Sequence, residues 1–293
     1  VGTSQQGQGH ETIYKQIICG RLGMEPDDVR IIEGDTDILA VGGGTGGSRS
    51  ATYGGCSVLL ASDKIIDKGK RITAHLLEAA EDDIEFVQGR FTVAGTDRSL
   101  DLTEVAKAAF QKPKLPPDIE PGLYEHGEFG MGQGQAPTYP NGCHLAEVEI
   151  DAETGRVALV RYTAVDDAGT ILNPLLFDGQ VHGGIVQGAS QILMENVHYD
   201  RASGQLLSGS FMDYCMPRAD DFCSFAVSAN EVPTAGNPLG VKGCGEAGAI
   251  ASPAAVINSV LDALSDVGVT DIAMPATPPD AQAITSTPRA VNS

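Results

Sequence analysis

Apolar side chains recur along this chain at two different periods, and the switches between them predict its elements. From His10 to Leu22, the residues Ile13, Ile17, Ile18 and Cys19 fall on one helical stripe that Gly23 closes. A long helical pattern follows from about Ala51 to Ala80 and ends at the acidic run 81–85. Leu102–Phe110 is a short helix by the same test, and the segment from Phe177 runs into a helix that reaches about Met194. Near the end, Ile257, Val260, Leu261 and Leu264 repeat at helical spacing, with Ser252 expected as N-cap and Pro253 as the first helical residue. His144–Ile150 alternates polar and apolar residues, and Val157–Val165 answers it across the turn at Glu153–Gly155. Val29–Glu33, Phe86–Val93 (with a turn near Gln88 and Gly89) and Phe225–Val232 are further strand candidates. Hairpins mixed with helices, without strict strand–helix alternation, predict an α+β fold of mixed sheets and hairpins with packed helices.

Four prolines between Lys112 and Pro121 mark the best internal boundary. The expected organisation is a first portion over 1–111, a Pro/Gly-rich connector and loop over 112–142, a second portion over 143–275, and a tail over 276–293. The chain opens on a polar, glycine-dense loop. That is expected of a fragment, or of a subunit that completes a site on another chain.

Composition narrows the function classes. A formal charge of −20 argues against nucleic acid or an anionic membrane surface as partner. No apolar run approaches the ~20 residues needed to span a bilayer, and the opening shows no signal-peptide pattern. The six cysteines are scattered without a C-x-x-C pair, which argues against a zinc ribbon or iron–sulfur cluster in this chain and suggests reduced thiols in a cytoplasm.

Glycine is the outlier, at 36 residues, and it gathers in short loops. Four carry the candidate chemistry: 1–9, Val41–Ser50, the patch from Phe129 to Gly142, and Phe177–Gln191. A fifth, Gly240–Gly248, frames one carboxylate, Glu246, among glycines that allow close backbone approach. Gly42, Gly44 and Gly47 satisfy a dinucleotide fingerprint, with Asp67 twenty residues on, but no β-α-β unit supports it. A run of backbone N–H groups at a helix start, suited to phosphate, is the better reading, with Thr45, Ser48 and Ser50 adding hydroxyls and Arg49 a charge. His10-Glu11 lacks the second histidine of a zinc protease, since position 14 is Tyr. Glutamine sits beside glycine repeatedly, at Gln6, Gln8, Gln133, Gln135, Gln180 and Gln187. Amides donate and accept at once, so the set suits a heterocyclic edge rather than a metal ion.

Gln6–Thr12, Gly44–Ser50, Asp166–Gly169 with Asn173-Pro174 and Gly179–Gly184, and Lys242–Gly248 occur in this order. Together they resemble the C-terminal half of the molybdopterin-binding large subunit of the xanthine dehydrogenase family of molybdenum hydroxylases. Their style is closer to the carbon monoxide dehydrogenase and bacterial heteroaromatic hydroxylase branch. The likeness runs from residue 1 to about Pro275. It implies a molybdenum–molybdopterin cofactor, in the cytosine dinucleotide form usual in bacteria, whose metal is held through the pterin dithiolene and takes no protein side chain. It also implies that Gln6, Gly7, Gln8 and Gly9 contact the cofactor, that Thr45, Gly46, Gly47, Ser48, Arg49 and Ser50 bind its pterin and pyrophosphate region, and that Gln180, Gln187 and Gly245 line it. Glu246 would be the catalytic base. The implied partners are an N-terminal molybdopterin-binding half or subunit, an iron–sulfur subunit carrying [2Fe-2S] clusters, an FAD subunit and a small-molecule substrate. The expected reaction is hydroxylation of an electron-poor carbon of an N-heteroaromatic, purine or aldehyde substrate with oxygen from water, or oxidation of CO. Two rivals remain at this point: a non-catalytic cofactor-binding or scaffold chain derived from the family, and a nucleotide-dependent dehydrogenase. Molybdenum content discriminates the first, and bound NAD or FAD on this chain the second.

Overall fold

The computed structural model describes residues 1–130 and 137–277. Gln133 and Gln135, and most of the expected 276–293 tail, lie outside the described residues. The chain divides into two compact units. One comprises Val1–Thr138 with Thr234–Gly243, and the other Tyr139–Pro233 with the chain from Cys244 onward.

The first unit is built on two helices, α1 (His10–Leu22) and α2 (Ser50–Leu76). Gly23 ends α1 in the left-handed conformation, and its N–H caps Cys19 O. Helix-interior glycine costs about 1 kcal/mol relative to alanine, yet α2 carries three. Two of them meet a ring: a Cβ on Gly54 would stand 2.2 Å from the Tyr14 hydroxyl, and one on Gly69 2.3 Å from Phe91 Cζ. Close approach of α1 and of the sheet thus offsets the lost propensity. That sheet is an antiparallel meander of β1 (Ile84–Val87), β2 (Arg90–Val93) and β3 (Ser99–Asp101). The expected single strand over 86–93 is therefore a hairpin, because Gln88 and Gly89 both take positive φ and reverse the chain. Asp101 then caps α3 (Leu102–Ala109) through a capping box with Glu104. Ile72, Ile84, Phe91 and Val105 form the buried core, to which Leu115 and Ile119 of the proline-rich segment contribute.

Val29–Glu33, expected as a strand, pairs with no other strand among the described residues. Its Ile32 carbonyl instead accepts from the Val1 ammonium at 2.9 Å, and Glu33 turns inward to the opening loop.

The second unit is a three-stranded sheet covered by two helices. β4 (Asn141–Ile150) pairs antiparallel with β5 (Val157–Asp167), and β5 pairs in parallel with β6 (Phe225–Ala229). Helix α4 (Pro174–Leu193) starts under an Asn173 cap with Pro174 at its first position. Helix α5 spans Ala247–Ala263, so it begins five residues before the expected N-cap. Ser252 lies buried inside it, and its hydroxyl reaches the Gly184 carbonyl at 3.5 Å. Pro253 forgoes one backbone bond within the helix. Tyr162, Val181, Ile185, Ile192, Val256 and Val260 make the core, buried almost completely.

α4 and α5 meet through glycine. A Cβ on Gly184 would come 2.7 Å from Ala249 N, one on Gly248 2.4 Å from Val181 O, and one on Gly188 2.0 Å from Ser252 Oγ. Contacts advance together along both helices, so they run parallel with backbones in near contact. Several glycines of Phe177–Gln191, expected in a loop leading to a helix, are thus helix-packing residues.

Candidate cofactor site

In the first unit the opening loop and the loop Val41–Ser50 are laced together by hydrogen bonds. Thr45 Oγ1 donates to Ser4 O at 2.7 Å and accepts from Ser4 N at 3.2 Å, with Ser50 Oγ 3.0 Å away. The N–H groups of Gly43 and Gly44 both donate to Gly2 O, at 2.9 and 3.2 Å. Gln6 and Gln8 hold one another: Gln8 Nε2 donates to Gln6 Oε1 at 2.9 Å, and Gln6 N donates to Gln8 Oε1 at 2.5 Å. Beneath the loop lies a buried polar cluster. His10 Nδ1 is 3.0 Å from Glu33 Oε1, Thr3 bonds to Glu33, and Tyr14 OH, 3.0 Å from Thr3 Oγ1, donates to Ser50 O. Burial pushes the Tyr14 hydroxyl up to about 12, with the Glu33 carboxylate adding to the shift against the Thr3 bond.

The second loop has the backbone of an anion cradle. Gly44, Gly47 and Ser48 take left-handed φ, and Arg49 returns to right-handed geometry at the start of α2. Successive left- and right-handed residues are the arrangement that makes backbone nests, here set at a helix N-terminus. Arg49 Nε donates to Gly46 O at 3.0 Å, and its guanidinium lies 5.6 Å from the Tyr53 ring centre. Gly243 closes against the same loop, where a Cβ would stand 1.5 Å from Ser48 O. A cavity of 620 Å³ opens beside these residues, lined by Gly2, Gly43, Gly44, Gly46, Arg49 and Tyr53 among others. Gly43 and Gly46 have nothing within 4 Å of the Cβ position, so their backbone faces open space.

In the second unit Glu246 is the N-cap residue of α5 and is exposed, as is Gly245. Gln180 and Gln187 stand two turns apart on one side of α4. Between them Gly183 has open space above it, with nothing within 4 Å. Cys244, two residues before Glu246, packs against the core of this unit. Under this segment is a buried chain of polar groups. His144 Nδ1 is 2.8 Å from Tyr162 OH, and His144 Nε2 is 3.1 Å from Asp166 Oδ2. Burial raises the Tyr162 hydroxyl, and so does the nearby Asp166. The Cys244 thiol is pushed up to about 11, mainly by burial, with Asp166 adding to it.

A family model for the molybdopterin cofactor-binding domain matches residues 1–223. The chain belongs to the molybdopterin cofactor-binding domain family. It is 37% identical over 283 residues to the carbon monoxide dehydrogenase large chain of Hydrogenophaga pseudoflava, covering 94% of this chain and 34% of that one. It is 38% identical over 280 residues to the nicotine 6-hydroxylase large subunit of Paenarthrobacter nicotinovorans, again covering 94% and 34%. Among solved structures, quinoline 2-oxidoreductase from Pseudomonas putida 86 superposes with a TM-score of 0.86 at 36% identity, over 98% of this chain and 36% of that one. The chain therefore spans about a third of the length of these relatives, and the α+β architecture is theirs.

Within this member of the molybdopterin-binding family, the first unit brings Gln6–Gly9 close to Thr45–Ser50, and the second holds Gln180, Gln187, Gly245 and Glu246. Sequence reading missed Ser4 and Thr3, which anchor the loops, and the pairs His10–Glu33 and His144–Asp166. One signal was available: His144 shares the inward phase of β4 with Ala146, Val148 and Ile150, so its ring had to be buried and hydrogen-bonded.

Proposed function

We propose that this chain is the cofactor-binding part of a molybdenum hydroxylase. In this reading it works in a cytoplasmic complex with the rest of the molybdopterin-binding chain, an iron–sulfur subunit and an FAD subunit. What carries the reading is the conjunction of the family match with a 620 Å³ glycine-lined cavity at the start of α2. The residues present suit a molybdopterin. Two loops already fixed by Thr45 offer hydroxyls and a nest for its phosphates, Arg49 offers a charge-assisted donor, and the amides of half-buried Gln180 and exposed Gln187 suit the edges of a pterin. Open space over Gly43, Gly46 and Gly183 leaves their backbone accessible to a flat ligand.

A bound molybdopterin would supply the redox chemistry, a two-electron oxidation of the substrate with oxygen derived from water. The protein supplies position and proton transfer. Gln6–Gly9 and Thr45–Ser50 would bind and orient the cofactor, and by the family resemblance Gln180, Gln187 and Gly245 would contact it as well. Glu246, presented at the tip of a helix whose glycine packing fixes its first turn, would accept a proton at its carboxylate during turnover. The relatives are named for carbon monoxide, nicotine and quinoline. Two of the three are N-heteroaromatic, so an electron-poor ring carbon is the substrate class to try first. The test is elemental and nucleotide analysis of the purified complex together with substrate-dependent dye reduction. Stoichiometric molybdenum with a cytosine nucleotide and turnover is expected. Molybdenum without turnover on any of these substrate classes would favour a scaffold, and its absence from an intact complex would contradict the proposal.

A further inference from the structure

Residues 197–216 of the second unit form an ordered projection with its apolar side chains outward. Tyr199 and Leu206 pair across a tight turn in which Asp200 Oδ2 accepts from the N–H and hydroxyl of Ser203, at 2.8 and 2.5 Å. Leu207 N donates to His198 O at 2.8 Å, and His198 N to Ser208 Oγ at 3.0 Å. The following turn is tied by Ser210, whose carbonyl accepts from Asp213 N and Tyr214 N, and the Tyr214 hydroxyl donates to Glu195 at 2.5 Å. Along this hydrogen-bonded segment, Phe211 is 86% and Met212 93% exposed, and Tyr199, Leu207 and Met216 are exposed as well.

Single exposed apolar residues are ordinary, but seven within one hydrogen-bonded segment of twenty residues, with an adjacent Phe–Met pair the most exposed, mark an interaction surface. Its character selects the occupant. A permanent interface resembles a core cut in two and is more apolar than a transient one. The relatives carry about twice as much chain again beyond the part matched here, a partner always present with this segment. A second copy of this chain would bring another net charge of −20 and repel. We propose that the exposed segment carrying Phe211 and Met212 is the docking face for the remainder of the molybdopterin-binding chain. This rests on family membership and not on turnover, so it can fail while the proposed function stands.

The test uses the complete complex with benzoylphenylalanine in place of Phe211 or, separately, Met212, irradiated, digested and mapped by mass spectrometry. Cross-links are expected to molybdopterin-chain residues outside the 293 described by this sequence. Cross-links to a flavin or iron–sulfur subunit, to a second copy of this segment, or to nothing would each overturn the assignment. A wild-type control does not depend on the variants folding: peroxide oxidation of Met212 should be lost in the intact complex and recovered after denaturation. Equal oxidation in both states would contradict the proposal.

Discussion

Thr45 Oγ1 both donates to and accepts from the Ser4 backbone, at 2.7 and 3.2 Å. One hydroxyl thereby fixes two glycine-rich loops that are 41 residues apart in the chain. Preorganised loops lose less freedom on binding, so the bond acts on cofactor affinity as well as on stability. Thr45→Val keeps the shape and strips both bonds. A loss of about 1–3 kcal/mol is expected for the part-buried groups left unpaired. Molybdenum content should fall with it, and Thr45→Ser should restore both. Unchanged metal content in the valine variant would show that the loops hold without this bond.

Arg49 lines the cavity and is braced by Gly46 O and the Tyr53 ring. As an anchor for phosphate it should act on binding more than on chemistry. Arg49→Ala is expected to lower molybdenum occupancy while leaving turnover per bound molybdenum nearly intact. Full occupancy with lost turnover would place the guanidinium in the reaction instead.

The α4–α5 contact predicts opposite outcomes for adjacent glycines. Gly184→Ala puts a methyl group against the α5 backbone, 2.7 Å from Ala249 N, where no side chain can yield. A loss of about 1–3 kcal/mol or more is expected. Gly183→Ala meets nothing within 4 Å in a helix interior and should stabilise the folded chain by about 0.4–1 kcal/mol. Denaturant midpoints of the two variants check the pair, and similar shifts would mean the helices are not in near contact.

Burial raises Cys56 and Cys244 from 9.0 to about 11 and Tyr14 from 10.0 to about 12. These groups stay neutral in the folded chain at pH values where the unfolded chain has begun to ionise. Their contribution to stability is full below pH 9 and is lost as pH rises through about 9 to 12. Thermal midpoints should fall across that window, with a shallower fall for Cys244→Ser. The exposed thiols Cys143 and Cys215 should alkylate before buried Cys56 or half-buried Cys244. A flat alkaline profile would contradict the sign.

Much of the fold was legible in the sequence because periodicity reports burial directly. Helix α1 and the β4–β5 hairpin follow from it almost residue by residue. Periodicity fails where backbone contact replaces side-chain packing. Helix α5 begins at Ala247 because glycines let it press on α4, a relation no single segment encodes. The Phe177–Gln191 glycines misled for the same reason: open ligand space and a helix crossing call for the same residue. Val29–Glu33 has strand composition, but its hydrogen-bond partner is the amino terminus. Of the candidate site, the glycine frames and amides were visible from residue type. The Ser4–Thr45 tie and the buried His144–Asp166 pair join distant positions, and only the folded chain brings them together.

Glu246 is the centre of the account. It stands exposed at the N-cap of α5. A positioned base contributes typically ~10²–10⁴-fold, and the upper end is expected for the carboxylate proposed to take the proton. Glu246→Gln keeps size and hydrogen bonding and removes the proton acceptor. Glu246→Asp withdraws the carboxylate by one methylene and should recover little, since ~1 Å of misplacement can cost ~10²-fold. Cys244→Ser should change turnover far less. The direct measurement is turnover per bound molybdenum for Glu246→Gln in the intact complex. Full molybdenum content with turnover lowered at least ~10³-fold is predicted. Turnover within about tenfold of the parent would mean that the proton goes elsewhere, and the proposed role of Glu246 would be wrong.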